Sequence, residues 1–168
     1  MFVFTCTSSL VNSSLNAQDL SNPDPTSKAG VGISIFNFDL FQYDYFDLYQ
    51  PAGIIYVPIN VTEKFRIEPE ISFFSRPGYG AAYLFSAGLG LEGMKRKNDF
   101  NMIYGVRMGV TLLDGVDDRY TSLGPILGGE HYFSKHFSIG AEIQLRGIYY
   151  DPDFYISTAT SFQTKFYF

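Results

Sequence analysis

The sequence predicts an all-β protein, an eight-stranded antiparallel up-and-down transmembrane β-barrel. Three observations support this fold class. Apolar and polar residues alternate with period two through most of the chain, which is typical of half-buried strands. The chain is rich in aromatic residues (18%) and poor in charged ones (17%), compared with about 25% charged residues in soluble domains. Most glutamates fall on the polar side of the alternation, so one face of each strand could contact hydrocarbon and the other could not.

The N-terminal part is expected to lie outside the barrel. Residues 1–17 carry no charge, and we interpret them as the remnant of a secretory signal peptide, with a disordered tail as the alternative. Residues 18–28, which contain Pro23 and Pro25, are predicted to form an N-terminal linker. The barrel is predicted over residues 29–168.

The barrel prediction depends on eight alternating runs. The clearest runs from Phe137 to Tyr149, where odd positions are mostly apolar and even positions include Ser138, Glu142 and Arg146. An even number of strands suits a closed antiparallel barrel, which has no exposed edges. The predicted strands lie near residues 29–38, 53–61, 64–73, 82–92, 101–112, 120–133, 137–149 and 155–168.

Three prolines fall within these runs. Pro58, Pro69 and Pro125 each lack the N–H that a strand donates to its neighbour. They are expected to mark bulges, strand irregularities or a wall that faces another subunit.

The connections give the predicted barrel a direction. Tight connections are expected near residues 62–63, 97–98 and 134–135, and mostly longer ones near residues 39–50, 76–80, 114–119 and 151–153. Transmembrane barrels have short periplasmic turns and longer extracellular loops. The pattern therefore predicts periplasmic termini.

Charged residues on the polar faces are predicted to fill the barrel interior. Eight strands enclose a space just wide enough for side chains, so these residues are expected to form an internal ion-pair network that plugs the lumen. Catalytic carboxylates are the alternative. A polar interior is the inverse of a soluble lipocalin, whose core is apolar. The predicted network comprises Arg66, Glu68, Glu70, Glu92, Arg107, Glu130, Glu142, Arg146 and Lys165.

Two segments carry a resemblance to a known family. Residues 124–133 (GPILGGEHYF) with residues 134–142 (SKHFSIGAE) resemble the penultimate hairpin of the outer-membrane protein β-barrel domain family, the small OmpA/OmpX-like barrels of Gram-negative bacteria. Phe166 and Phe168, with Phe162 at the matching alternate position, resemble the C-terminal signal that the barrel assembly machinery recognises. The resemblance implies the barrel fold, an outer-membrane location, and contact with outer-membrane lipids and lipopolysaccharide. The family has no shared catalytic residues.

No catalytic, cofactor or metal site is predicted. The two histidines, His131 and His136, flank a tight turn at the predicted periplasmic end. A lipid A deacylase would need a Ser–His–acid arrangement near the outer leaflet, and His136, Ser138 and Glu142 do not obviously converge. An isoelectric point near 4.9 argues against a nucleic-acid partner.

Three further segments have compositions that can form binding sites. Residues 88–93 (GLGLEG) superficially resemble a phosphate-binding loop, but they lie in an alternating strand, where glycines would ease packing in the lumen. Residues 95–97 (KRK) are predicted to form a solvated basic turn. The longest loop interleaves aromatic residues with Asp44 and Asp47, which predicts a partner-binding surface or, alternatively, part of the aromatic girdle. Its aromatic residues are Phe41, Tyr43, Tyr45, Phe46 and Tyr49.

These features together predict a non-enzymatic integral outer-membrane barrel with a plugged lumen. Its expected role is that of a structural or interaction protein, or of an accessory subunit that contacts other outer-membrane proteins. A lipid A-modifying enzyme of the outer membrane is the first alternative. A lipocalin-like carrier of small ligands is the second.

Overall fold

The computed structural model describes residues 29–39, 53–76, 82–113 and 119–168. The described residues form nine β-strands and no helix, and thus contain no helix that could cross a membrane. The signal peptide, the linker and the aromatic loop predicted from the sequence lie outside these residues. The strands are β1 (Gly30–Asp39), β2 (Ile54–Tyr56), β3 (Ile59–Thr62), β4 (Phe65–Arg76), β5 (Ala82–Lys97), β6 (Phe100–Leu113), β7 (Arg119–Ser134), β8 (Phe137–Tyr150) and β9 (Asp153–Tyr167).

The strands close into an antiparallel barrel. Each strand from β4 to β9 pairs with the next in the chain, and β9 returns to pair with β1 from Gly30↔Tyr167 to Asp39↔Ala159. Strands β2 and β3 share one position, between β1 and β4. The barrel therefore has eight positions, which confirms the predicted fold class.

The break between β2 and β3 coincides with Pro58. Val57 donates its N–H to the carbonyl of Pro69 at 2.8 Å, while the carbonyl of Pro58 accepts from Gly30 at 2.9 Å. Pro58 has no N–H to donate, and it interrupts the second barrel strand as expected. Pro69 lies opposite this gap, yet it keeps its register with Leu89 on the other side of β4.

A second irregularity lies at Pro125. The β7–β8 ladder passes from Leu123↔Gly147 to Ile126↔Gln144 without paired residues between, and the register does not shift. The residue before the proline, Gly124, lies so close to β8 that an added Cβ atom would be 1.7 Å from the carbonyl oxygen of Leu145. The two strands can approach to this distance only where no side chain intervenes.

Alternate residues face opposite sides of the barrel wall, and β6 is a clear example. Asn101, Ile103 and Arg107 are buried, whereas the intervening apolar residues from Met102 to Leu112 are exposed on the outside. At about 3.3 Å per residue and a tilt near 45°, the outward residues from Phe100 to Leu112 span about 28 Å along the barrel axis. This height is similar to the apolar band of transmembrane barrels, about 25 Å.

Three connections have two residues each and lie at one end of the barrel, at residues 63–64, 98–99 and 135–136. Asn98 adopts a φ of 55°, the left-handed conformation that tight hairpin turns require and that asparagine tolerates. The chain end lies at the same end, where the N–H of Phe168 donates to the carbonyl of Ala29 at 3.1 Å.

Two expectations about the connections were wrong. The β8–β9 connection also has two residues, Asp151 and Pro152, because β8 and β9 stay paired as far as Tyr150↔Asp153. Residues 95–97 do not form a turn, because β5 remains paired with β6 as far as Lys97↔Phe100.

We predict that Gly124→Ala destabilises the barrel by about 3 kcal/mol, the upper end of the range for overpacked cores, because the new methyl group would collide with the β8 backbone. Urea unfolding in lipid vesicles would measure the change. The control is Gly109→Ala, since an added Cβ atom there lies 3.2 Å from the movable hydroxyl of Ser122. Equal stability of the two variants would contradict the prediction.

Candidate functional site

Charged side chains from six strands meet inside the barrel, and we call them the interior cluster. Seven of the eight are buried, and Glu70 is half-buried. Burial of so many charges is costly unless each is paired and hydrogen-bonded. The interior cluster consists of Arg66, Glu68, Glu70, Glu92, Arg107, Glu130, Glu142 and Lys165.

Arg107 on β6 contacts carboxylates from three other strands. Its Nε and Nη2 atoms donate to the two oxygens of Glu142 at 3.1 and 2.9 Å, a bidentate pair. Nη1 donates to Glu70 at 2.6 Å. Nη2 also lies 3.0 Å from an oxygen of Glu68 and 3.0 Å from one of Glu92. A single guanidinium group thus joins β6 to β4, β5 and β8.

Arg66 on β4 forms a second centre nearer the end that carries the two-residue turns. Its Nη2 atom donates to Glu130 at 2.8 Å and to the hydroxyl of Tyr167 at 2.9 Å. The same atom lies 3.1 Å from the Tyr132 hydroxyl, and Nε donates to Asn60 at 3.0 Å. These partners lie on β3, β7 and β9.

Glu68 and Glu92 connect the two arginines. The Nη1 atom of Arg66 lies 3.8 Å from Glu68 and 3.5 Å from Glu92, and both carboxylates also contact Arg107. Lys165 on β9 donates to Glu68, although the two strands are three barrel positions apart. The interior cluster therefore spans the barrel from wall to wall.

Glycines on the inner wall make room for these long side chains. A Cβ atom added at Gly88 would lie 2.5 Å from the carboxylate of Glu70, and one at Gly90 would lie 3.1 Å from Glu92 and 3.3 Å from Arg107. Both glycines belong to the stretch at residues 88–93 that superficially resembled a phosphate loop. It forms part of β5.

Tyr132, Tyr167 and Ser138 complete the hydrogen bonds of the interior, and Tyr56 packs its ring against two of the cations; none of the four belongs to the network predicted from the sequence. Tyr167 and Ser138 donate hydrogen bonds to Glu130. Tyr56 lies under Arg107 and Lys165, whose charged groups are 5.3 and 5.8 Å from its ring centroid. The signal that could have found Tyr132 and Tyr167 is position, because each lies two residues from a charged member of the cluster.

Arg146, the remaining residue of the predicted network, is half-buried on β8. Its place in the predicted network stays a prediction. The interior cluster itself holds three cations and five carboxylates, so the hydroxyl donors of Tyr167 and Ser138 are needed to satisfy carboxylate oxygens beyond the reach of the cations.

Three carboxylates of the interior cluster lie close enough together to share a metal ion, but a nitrogen of Arg107 lies among them. Carboxylate oxygens of Glu68, Glu92 and Glu142 lie within 4.8 Å of one another, but the Nη2 atom of Arg107 already lies within 3.0 Å of all three residues. A guanidinium nitrogen thus stands where a shared metal ion would have to be.

His136, Ser138 and Glu142 do not form a triad in the described part of the chain. Nδ1 of His136 lies 2.8 Å from the carbonyl oxygen of Tyr167, Ser138 donates to Glu130, and Glu142 binds Arg107. His131 is exposed on the outer face, with its ring 4.8 Å from that of Phe133.

The phenylalanines of the proposed assembly signal all lie on the outer face of the end of the chain. Phe162, Phe166 and Phe168 are exposed, alternating with the buried Lys165 and Tyr167. The loop residues Phe41, Tyr43, Tyr45, Phe46 and Tyr49 lie outside the described residues.

A closed antiparallel barrel with an apolar exterior and a charged interior is the architecture of transmembrane β-barrels. A soluble lipocalin would have the reverse arrangement.

The sequence matches no protein-family model and no curated protein. Among solved structures, the chain is similar to Ail, the attachment invasion locus protein of Yersinia pestis, with 12% sequence identity and a TM-score of 0.49 over 83% of this chain and 96% of that one. Membership of the OmpA/OmpX-like family therefore stays a prediction.

We predict that Arg107→Met lowers the free energy of unfolding by about 3–5 kcal/mol, because it leaves four carboxylates without their shared cation. Urea unfolding in lipid vesicles would measure the change. Glu142→Gln is the matched variant, since it keeps an oxygen acceptor for Arg107 and removes one carboxylate from an anionic cluster. Its loss should be clearly smaller, and the opposite order would contradict the assigned role of Arg107.

Proposed function

We propose that this chain is a non-enzymatic β-barrel of the Gram-negative outer membrane that acts as a structural or interaction protein, either alone or as an accessory subunit of a larger outer-membrane complex. The observation that carries the proposal is the inversion of the barrel wall. Large apolar side chains are exposed around the outside, from Val31 on β1 to Phe166 on β9, while the carboxylates of the interior cluster are turned inwards. This arrangement is favourable where hydrocarbon surrounds the outer wall, because the apolar side chains are then removed from water.

The interior supports a role other than transport through the lumen. The ion pairs of Lys165 with Glu68 and of Arg66 with Glu130 cross between strands three positions apart. Opening a water-filled path would separate these pairs. We therefore propose that the interior cluster plugs the lumen.

The proposed orientation places the termini and the three tight turns in the periplasm, as is usual for barrels with an even number of strands. Phe162, Phe166 and Phe168 would then be presented to the barrel assembly machinery during insertion. In the membrane, the outer wall would contact phospholipid and lipopolysaccharide.

The membrane proposal predicts that the protein resists extraction without detergent and migrates differently on gels before and after heating, because closed barrels stay folded in mild detergent. In planar bilayers the conductance should remain near zero. Recovery in the soluble periplasmic fraction would overturn the location. Steady porin-like openings would instead overturn the plugged lumen and leave the location intact.

The interaction role is tested at the loop between β1 and β2. Its sequence places Tyr43, Tyr45 and Phe46 beside Asp44 and Asp47, just after Asp39 at the end of β1, and an Asp at the centre of a membrane costs about 2.5–3.5 kcal/mol. The loop should therefore stand outside the hydrocarbon, where exposed rings favour a partner.

We predict that replacing Tyr43, Tyr45 and Phe46 with serine leaves heat-modifiable assembly intact and abolishes co-purification of an outer-membrane partner. Affinity purification from native membranes with mass spectrometry is the measurement. A variant that fails to assemble would assign the loop to the aromatic girdle. Unchanged co-purification would reject the interaction role of the loop.

A further inference from the structure

Three lysines lie close together at the end of the barrel that carries the two-residue turns. Lys95 and Lys97 both point outwards from the last residues of β5, and Lys64 lies in the turn between β3 and β4. The carbonyl of Lys64 accepts a hydrogen bond from the N–H of Met94 at 2.8 Å, which places that turn directly beside Lys95. We call Lys64, Lys95 and Lys97 the lysine patch.

The lysine patch has no carboxylate partner within the described part of the chain. Glu63 and Asp99 lie in the adjacent turns. Among the described residues, no ion pair with an N–O distance up to 4.0 Å involves a lysine of the patch. All three lysines are exposed. Their ammonium groups are therefore available to an external anion.

The depth of the patch along the barrel axis identifies the anion. Lys97 is level with Phe100, and Lys95 with Met102. Both apolar residues are exposed on the outer wall, so the patch lies at the edge of the apolar band. Lysines at such a depth extend their ammonium groups along the wall towards the lipid headgroups. Phosphate groups are the anions found at that depth.

One residue pair further into the apolar band, an aromatic ring lies beside the lysine patch. Gly93 is opposite Tyr104, and a Cβ atom added at Gly93 would lie 2.6 Å from the tyrosine ring and 3.1 Å from its hydroxyl oxygen. The ring therefore lies across β5 just below Lys95. An aromatic ring with a polar end is favourable at the boundary between acyl chains and headgroups.

We propose that the lysine patch binds the headgroup phosphate of an anionic phospholipid in the leaflet that surrounds this end of the barrel. The proposal rests on the membrane insertion proposed above. Charge complementarity favours an anionic over a zwitterionic lipid, because a zwitterionic headgroup carries its own ammonium group to neutralise the phosphate. At the opposite end, the described β8–β9 turn contains Asp151 and is followed by Asp153, and these carboxylates would repel such a lipid.

The test measures lipid selectivity of the full chain refolded into phosphatidylcholine vesicles. Electron paramagnetic resonance with spin-labelled phosphatidylglycerol and spin-labelled phosphatidylcholine gives the relative association of each lipid with the barrel. We expect at least about a threefold preference for phosphatidylglycerol at low salt, which decreases in high salt because the charges are screened.

The triple variant Lys64→Gln, Lys95→Gln, Lys97→Gln should abolish the preference, so that both lipids associate about equally. Lys135→Gln, in the turn between β7 and β8, should retain the preference. If the triple variant does not assemble, the three single variants replace it, and each should lose part of the preference. Equal association of both lipids with the assembled wild-type barrel, or loss in Lys135→Gln alone, would overturn the lipid site. Failure of the wild type to insert at all would overturn the proposed function instead, so the two failures are distinguishable.

Discussion

The guanidinium group of Arg107 constrains the whole barrel, because it contacts carboxylates from β4, β5 and β8 at once. The free-energy cost of burying a guanidinium group without partners would exceed the net stability of a folded protein. Strand β6 can therefore occupy its position only when the other three strands have the observed register. A slip of β6 by one residue would turn Arg107 towards the outside and leave its partner Glu142 on β8 inside without its cation. The charged interior thus specifies both the register and the face of each strand.

Much of the fold follows from the local pattern. Period-two alternation assigns each side chain to one face of a strand, so Arg66, Arg107 and Lys165 could be placed inside from the sequence. The tight turn at Asn98 follows similarly from residues that tolerate the backbone conformation of a hairpin. Pro58 also indicated an irregularity, although the sequence did not show that this proline divides one barrel strand into two.

The pairs within the interior could not be predicted in this way. Alternation assigns Lys165 to the inner face but says nothing about which carboxylate it reaches, because that depends on the stagger between strands and on distances across the lumen. The contact of Lys165 with Glu68, 97 residues away along the chain, is of this kind. Tyr56 was missed for a related reason, since a tyrosine fits either face of a barrel wall.

The divided strand has a consequence for how the barrel closes. Over the described residues, β1 pairs with β2 at Gly32↔Tyr56 and Ile33↔Ile55, and Ala29 just before β1 bridges to Ile59 of β3, while the other edge of β1 pairs with β9 from Gly30↔Tyr167 to Asp39↔Ala159. On the inner side of this seam, over Gly32 of β1, the ammonium group of Lys165 lies 5.8 Å from the centroid of the Tyr56 ring. In a partly closed barrel, water would enter the gap between β1 and β2 beside the interior cluster. The ion pairs of the cluster would then be weaker, because water screens charges. Joining the first strand to the second and excluding water from the interior are therefore expected to be one cooperative event, in which interior side chains act together with the backbone ladder.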